Sequence, residues 1–176
     1  MQELIVKDIL LSEKHKKELL NKQEFFDIIS DLVFLEPVQE MKKYRQHFNT
    51  SCFDHCLEVS YWSYLICKKL KLDYKSMARA ALLHDLFLYD WRGSKKRLQL
   101  SKFHAFIHPY IAYENASKIC DLNDVEKDII LKHMWPVNPL KFPKYKESFI
   151  ITITDKLSSI NSFRKYLEGL PDKKLL

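Results

Sequence analysis

Four histidines and two aspartates are the residues of this chain best suited to chemistry: His55, His84, Asp85, His108, His133 and Asp155. Apart from the adjacent pair, successive members are separated by roughly 20–30 residues, about the length of one helix plus a connection. Four imidazoles and two carboxylates can therefore come from successive helices and converge on one point. Mixed nitrogen and oxygen donors suit divalent iron, manganese, cobalt, nickel or zinc. A carboxylate can also bridge two ions. Asp85 sits in the apolar run 80–88, and Asp155 follows the apolar run 149–153. A carboxylate buried among such neighbours is desolvated and needs a partner, and a divalent cation would offset that cost.

Taken singly, none of these residues means much. A His-Asp dipeptide is common, and a lone histidine on an apolar face is more often a hydrogen-bonded core residue than a ligand. Asp155 alone could pair two helices. On an ideal helix His84 and Asp85 point about 100° apart, so they share an ion only if it lies between their directions. His15 stands among Lys14, Lys16 and Lys17 and reads as solvated. His47 and His104 are candidates for proton transfer or phosphate contact beside the metals, and each has a structural alternative as a satisfied loop histidine.

The elements that must position these residues read as helices almost throughout. Two amphipathic stretches occupy residues 2–35, and a short helix is expected over 37–47 with Pro37 in its first turn. Ser51 is the expected cap of a long helix to about residue 70, and Asp73 that of a helix over 74–89. A basic, aromatic connection fills 90–108. Pro109 then starts a helix to about residue 120, with His108 at its entrance. Asn123 and Glu126 form a capping box for a helix to about residue 134, with His133 at its carboxyl end. Three prolines make 135–145 irregular. Residues 149–154 read as a strand by β-branching, yet the helical spacing of Leu157, Ile160 and Phe163 and the lack of a partner strand make 147–167 a helix.

Composition sets the outer bounds. The chain has 176 residues, 47% of them hydrophobic and 30% charged, which fits one domain with a sizeable core. An amino-terminal helical segment (1–48) precedes the ligand-bearing core (50–167). The only glycines are Gly93 and Gly169, which excludes phosphate-binding loops that need closely spaced glycines. The net charge is +6, compatible with an anionic substrate or with a solvated basic surface. Lys95, Lys96, Arg97 and Lys102 cluster in the connection after Asp85, where they could steer phosphate inward. The basic residues are otherwise scattered without a recognition-helix pattern, so nucleic acid is not an expected partner. The four cysteines lack metal-site spacing and read as reduced thiols. With no signal peptide or membrane-length apolar run, the expected location is the cytoplasm. Oligomeric state is not legible.

The order His, His-Asp, His, His, Asp on a nearly all-helical chain resembles the HD-domain superfamily of metal-dependent phosphohydrolases. The resemblance covers about residues 50–159. Its strongest piece is Ala80-Ala81-Leu82-Leu83-His84-Asp85, with His55 one helix upstream. His108-Pro109-Tyr110-Ile111-Ala112 is similar to the family's second-metal histidine, and the stretches 86–92 and 132–136 look like an uncharacterised bacterial branch. The resemblance implies an all-α, single-domain fold of about six to eight helices around a metal site holding one or two divalent transition metal ions. His55, His84, Asp85 and Asp155 would hold the first ion. His108 and His133 would hold a second, with Asp85 bridging in a catalytic, positioning role. The implied activity is hydrolysis of a phosphate ester or anhydride, in a nucleotide or dinucleotide, by metal-activated water. Leu88 occupies the position where many two-metal relatives carry a phosphate-binding lysine. Arg92, Lys95, Lys102 or His104 must then contact phosphate, with His104 or His47 protonating the leaving group. Leu88 also motivates the alternative of a metal-stabilised nucleotide-binding or regulatory module without turnover.

Overall fold

Side-chain caps start three of the helices that carry the candidate ligands. The Ser51 hydroxyl accepts the Asp54 N–H, the Asp73 carboxylate accepts the Ser76 N–H, and Asn123 and Glu126 make a reciprocal capping box. Each cap satisfies amides that a helix start leaves without partners and is worth about 1 kcal/mol. In the computed structural model the described residues are 13–47, 50–90 and 97–167, with side chains described over 18–46, 50–90 and 104–164. Along the chain they form α1 (Glu13–Val33), α2 (Glu36–Glu40), a 3-10 turn (Met41–Lys43), β1 (Arg45–His47), β2 (Thr50–Ser51), α3 (Cys52–Lys69), α4 (Tyr74–Leu83), α5 (Arg97–Ile119), α6 (Asp124–Lys132) and α7 (Lys146–Leu167). The fold is all-α with one antiparallel two-stranded ribbon, β1 against β2. The amphipathic stretch expected over 2–12 lies outside the described residues.

Helix α3 runs through the middle. It packs most extensively on α4 and also contacts α7, while α6 joins α4, α5 and α7. Ala78, Ala80 and Ala81 are fully buried; with side chains this small, α3 and α4 can approach closely. The Ser60 hydroxyl spans that contact to the Ala78 carbonyl at 2.6 Å. Leu82 of α4, with Ile29, Leu32, Ile129 and Ile151 from α1, α6 and α7, completes the core, each contributing about 2 kcal/mol by burial.

Three expectations are corrected. The helix foreseen over 37–47 ends at the 3-10 turn, and residues 45–47 are a strand paired to 50–51. The helix foreseen over 74–89 stops at Leu83: the Leu86 N–H turns back to the Leu83 carbonyl at 3.1 Å, and Asn115 Nδ2 donates to the Leu86 carbonyl at 2.9 Å. His84 keeps helical dihedrals at that stop (φ −61°, ψ −28°), and its Nε2 lies 3.5 Å from Asp85 Oδ2. The connection foreseen over 90–108 is helix from Arg97, with Pro109 inside α5. No glycine or proline lies between Gly93 and Pro109, so nothing stops a helix from beginning well before the proline. The β-branched run 149–154 is helix, as its spacing predicts. Thr152 and Thr154 return their hydroxyls to carbonyls one turn back, at 2.7 and 3.0 Å.

Candidate metal centre

All six candidate ligands come together, from α3 (His55), the turn after α4 (His84, Asp85), the middle of α5 (His108), the end of α6 (His133) and α7 (Asp155). His55, His84, His133 and His108 follow one another ring to ring, with centroids 5.5, 4.9 and 4.9 Å apart. Each is at most 4% exposed, and Asp85 and Asp155 are 2% and 9% exposed. The ligand atoms fall into two groups that share Asp85: His55, His84 and Asp85, and Asp85, His108 and His133. Asp155 joins the first group, its Oδ1 lying 3.1 Å from His55 Nε2 and 3.9 Å from His84 Nε2.

The proton positions follow from what each ring faces. Nδ1 of His84, His108 and His133 lies 2.8 Å from the carbonyls of Ala81, His104 and Ile130 respectively. A carbonyl only accepts, so each Nδ1 carries the proton and donates it. The Ser158 hydroxyl donates to Glu58 at 2.7 Å and lies 3.4 Å from His55 Nδ1, so His55 Nδ1–H donates to Ser158 Oγ. In the neutral ring, Nε2 of all four histidines is then a lone pair. These lone pairs face one another and the carboxylates: His108 Nε2 is 2.8 Å from His133 Nε2 and 3.1 Å from Asp85 Oδ1. Among the described residues, His84 Nε2 and Asp85 Oδ1 are buried with no hydrogen-bond partner. Facing acceptors repel unless cations lie among them, and orphaned buried polar atoms are costly. The donor set therefore fits divalent transition metals.

In the metal-free chain, the imidazoles answer part of the carboxylate charge themselves. Burial disfavours the Asp85 carboxylate, but His84, His108 and His133 around it hold its pKa far below the usual range. Asp155 is also held well below, by His55 and His84 against the cost of burial. Burial and the neighbouring His108 and His84 push His133 down to about 3. His84 stands between the two carboxylates, and although burial works against its cation, Asp85 and then Cys56 raise its pKa well above normal.

A cleft of about 250 Å³ opens onto this cluster, lined by Asp85, His108, His133 and Asp155 together with Gln46, His104, Ala105, Met134, Val137, Lys156 and Ser159. His104 reaches it beside His108, with ring centroids 4.6 Å apart and Nδ1 3.0 Å from the Tyr89 hydroxyl. Burial and His108 pull His104 down to about 4. The side chains of His47 and Lys102, and all of Arg92 and Lys95, lie outside the described residues.

Sequence reasoning missed three contributors. Gln46 Nε2 donates to Asp85 Oδ2; it sits on the ribbon that was read as helix. Lys156 borders the cleft with its Nζ on the carbonyls of Trp135 and Thr152, at 3.2 and 3.1 Å, and burial lowers its pKa despite Asp155. Its position beside Asp155 was the available signal. The Glu58–Ser158–His55 relay joins positions a hundred residues apart and leaves no local pattern. No helix among the described residues is long and apolar enough to cross a membrane, and the four cysteines are free.

A family model described as HD domain matches residues 52–160, a span that contains all six candidate ligands. Comparison with curated proteins and with solved structures found no match.

Proposed function

The chain belongs to the HD domain family, and from that premise we propose that it is a metal-dependent phosphohydrolase acting on a phosphate ester or anhydride, with a nucleotide or dinucleotide as substrate. The observation that carries the reading is the convergence of four imidazole Nε2 atoms, each with its Nδ1 held by a carbonyl or hydroxyl, on two buried carboxylates that line a cleft. His55, His84, Asp85 and Asp155 are assigned to one ion, and Asp85, His108 and His133 to a second. Bound there, divalent iron, manganese, cobalt, nickel or zinc would supply Lewis acidity and a nucleophilic water at neutral pH.

The chain's own groups would do the rest. Asp85 spans the two ligand groups and fixes their spacing, with Gln46 orienting its second oxygen. Carbonyl contacts at Nδ1 hold His84, His108 and His133 in the ligating tautomer. Lys156, at the rim beside Asp155, takes the phosphate-binding part left open by Leu88, together with Arg92, Lys95 and Lys102 from the neighbouring basic segment. His104, anchored by Tyr89, offers its remaining nitrogen to the leaving oxygen, and His47 is the second candidate for that contact. Ala105, Met134 and Val137 give the cleft an apolar wall suited to the nucleoside portion. The chain's charge of +6 would favour capture of such an anion.

The test is a hydrolysis screen over nucleotides and dinucleoside polyphosphates with metal-loaded and chelated protein. Phosphate release that needs metal supports the reading. Full activity after complete metal removal contradicts it. Tight nucleotide binding without product under every metal would instead support the regulatory module that Leu88 suggests.

A further inference from the structure

Helix α7 is apolar on two sides. Its inner side buries Ile151, Thr154 and Ser158, with Thr154 bonded to Ser63 of α3 at 2.7 Å. Its outer side carries Ile153, Leu157 and Ile160, which are 59%, 51% and 64% exposed. Their i, i+4, i+7 spacing aligns them along one helix face. One turn before Ile153 is Phe149, whose ring meets Phe142 at 5.5 Å. The stripe thus runs on to Phe142, which is 62% exposed, in the segment that also exposes Leu140. Lys156 is turned onto the carbonyls of Trp135 and Thr152, and the exposed cations that continue the line of the stripe, Lys146 and Arg164, stand at its two ends.

These side chains expose on the order of 500 Å² of apolar surface, towards the upper end of patches on monomeric proteins and more than half of the roughly 800 Å² that each partner buries in a standard interface. We propose that this face pairs two copies of the chain, α7 against α7 about a two-fold axis. A two-fold interface needs a patch complementary to itself, and this stripe qualifies. In an antiparallel pairing centred on Leu157, Ile153 of one copy meets Ile160 of the other, since the two lie four and three residues from the centre. The pairing does not depend on the phosphohydrolase reading.

The test is sedimentation of the full chain over about 1–100 µM, the range in which an interface of this size associates measurably, at low and high salt. The expected result is a dimer that tightens with salt, because screening weakens repulsion between two copies of charge +6 while the paired side chains Ile153, Leu157 and Ile160 are apolar. Leu157→Glu is expected to give a monomer with the helical circular dichroism of the wild type. Leu20→Glu, at a side chain 70% exposed on α1, is expected to leave the dimer intact. A wild-type monomer throughout the range overturns the proposal, and protection of α7 from hydrogen exchange in that monomer would assign the stripe to another segment of the same chain. A dimer that survives both Leu157→Glu and Ile153→Glu also overturns it.

Discussion

Asp85 and Asp128 are both buried, 2% and 7% exposed, and the chain treats them in opposite ways. Asp128, on α6, is surrounded by donors: the Ser148 hydroxyl at 2.7 Å, the Lys144 and Tyr145 amides at 2.9 and 3.3 Å, and the Lys132 ammonium. Its charge is answered by the protein itself, and it ties the irregular segment before α7 onto α6. Asp85 has one amide donor, Gln46, and otherwise faces the Nε2 atoms of His84, His108 and His133, whose Nδ1 atoms are already engaged by carbonyls. Burial is therefore a poor guide to the role of an acid. A carboxylate set among donors holds structure, and one set among acceptors calls for a cation.

The sharpest way to break this contrast is to remove each acid. Asp85→Ala is expected to abolish metal binding and lower hydrolytic activity by roughly 10³-fold or more, several kcal/mol of lost Lewis-acid assistance, while the metal-free chain unfolds near the wild-type midpoint. Asp128→Ala is expected to do the reverse: about 2–3 kcal/mol of stability lost in urea, from stranding its buried partners, with metal content unchanged. Acid should expose the same difference. Burial opposes the Asp128 charge, but Lys132, Ser148 and the amides lower its pKa. Its contribution is therefore complete above the unfolded carboxylate range, near 4, and is lost as pH falls through the lower folded value. The stability gap between wild type and Asp128→Ala should then narrow at the acid end of a melting-temperature series.

Smaller changes sharpen the contrast by removing one donor from each acid. Gln46→Leu is expected to weaken metal binding by about 10–100-fold, the usual scale for a group that orients a ligand, as read by competition with a chromogenic chelator. Ser148→Ala is expected to cost about 1 kcal/mol of stability and to leave metal affinity where it was.

The sequence made one of these two acids far more legible than the other. Asp85 stands out because it follows His84 within an apolar run, and because His55, His108, His133 and Asp155 recur at helix-length intervals. Periodicity and caps placed most of the helices for the same reason: they are local signals, and Ser51, Asp73 and Asn123 cap where their types predict. Gln46 was hidden because two short strands carry too few residues to show an alternation, and their pairing is a tertiary event. The end of α4 at Leu83 was hidden because its apolar pattern continues through Leu88, while the bonds that shape the turn after it run from Leu86 N–H to the Leu83 carbonyl and from Asn115 on α5 to the Leu86 carbonyl. Asp128 left no comparable pattern, since its donors other than Lys132 arrive from the segment 144–148.

The most direct test of the central claim is metal stoichiometry by elemental analysis after reconstitution and desalting. Two ions per wild-type chain, one in His133→Ala and none in Asp85→Ala, is the predicted result. A wild-type chain that retains no divalent transition metal, or an Asp85→Ala chain that retains as much as wild type, would contradict it.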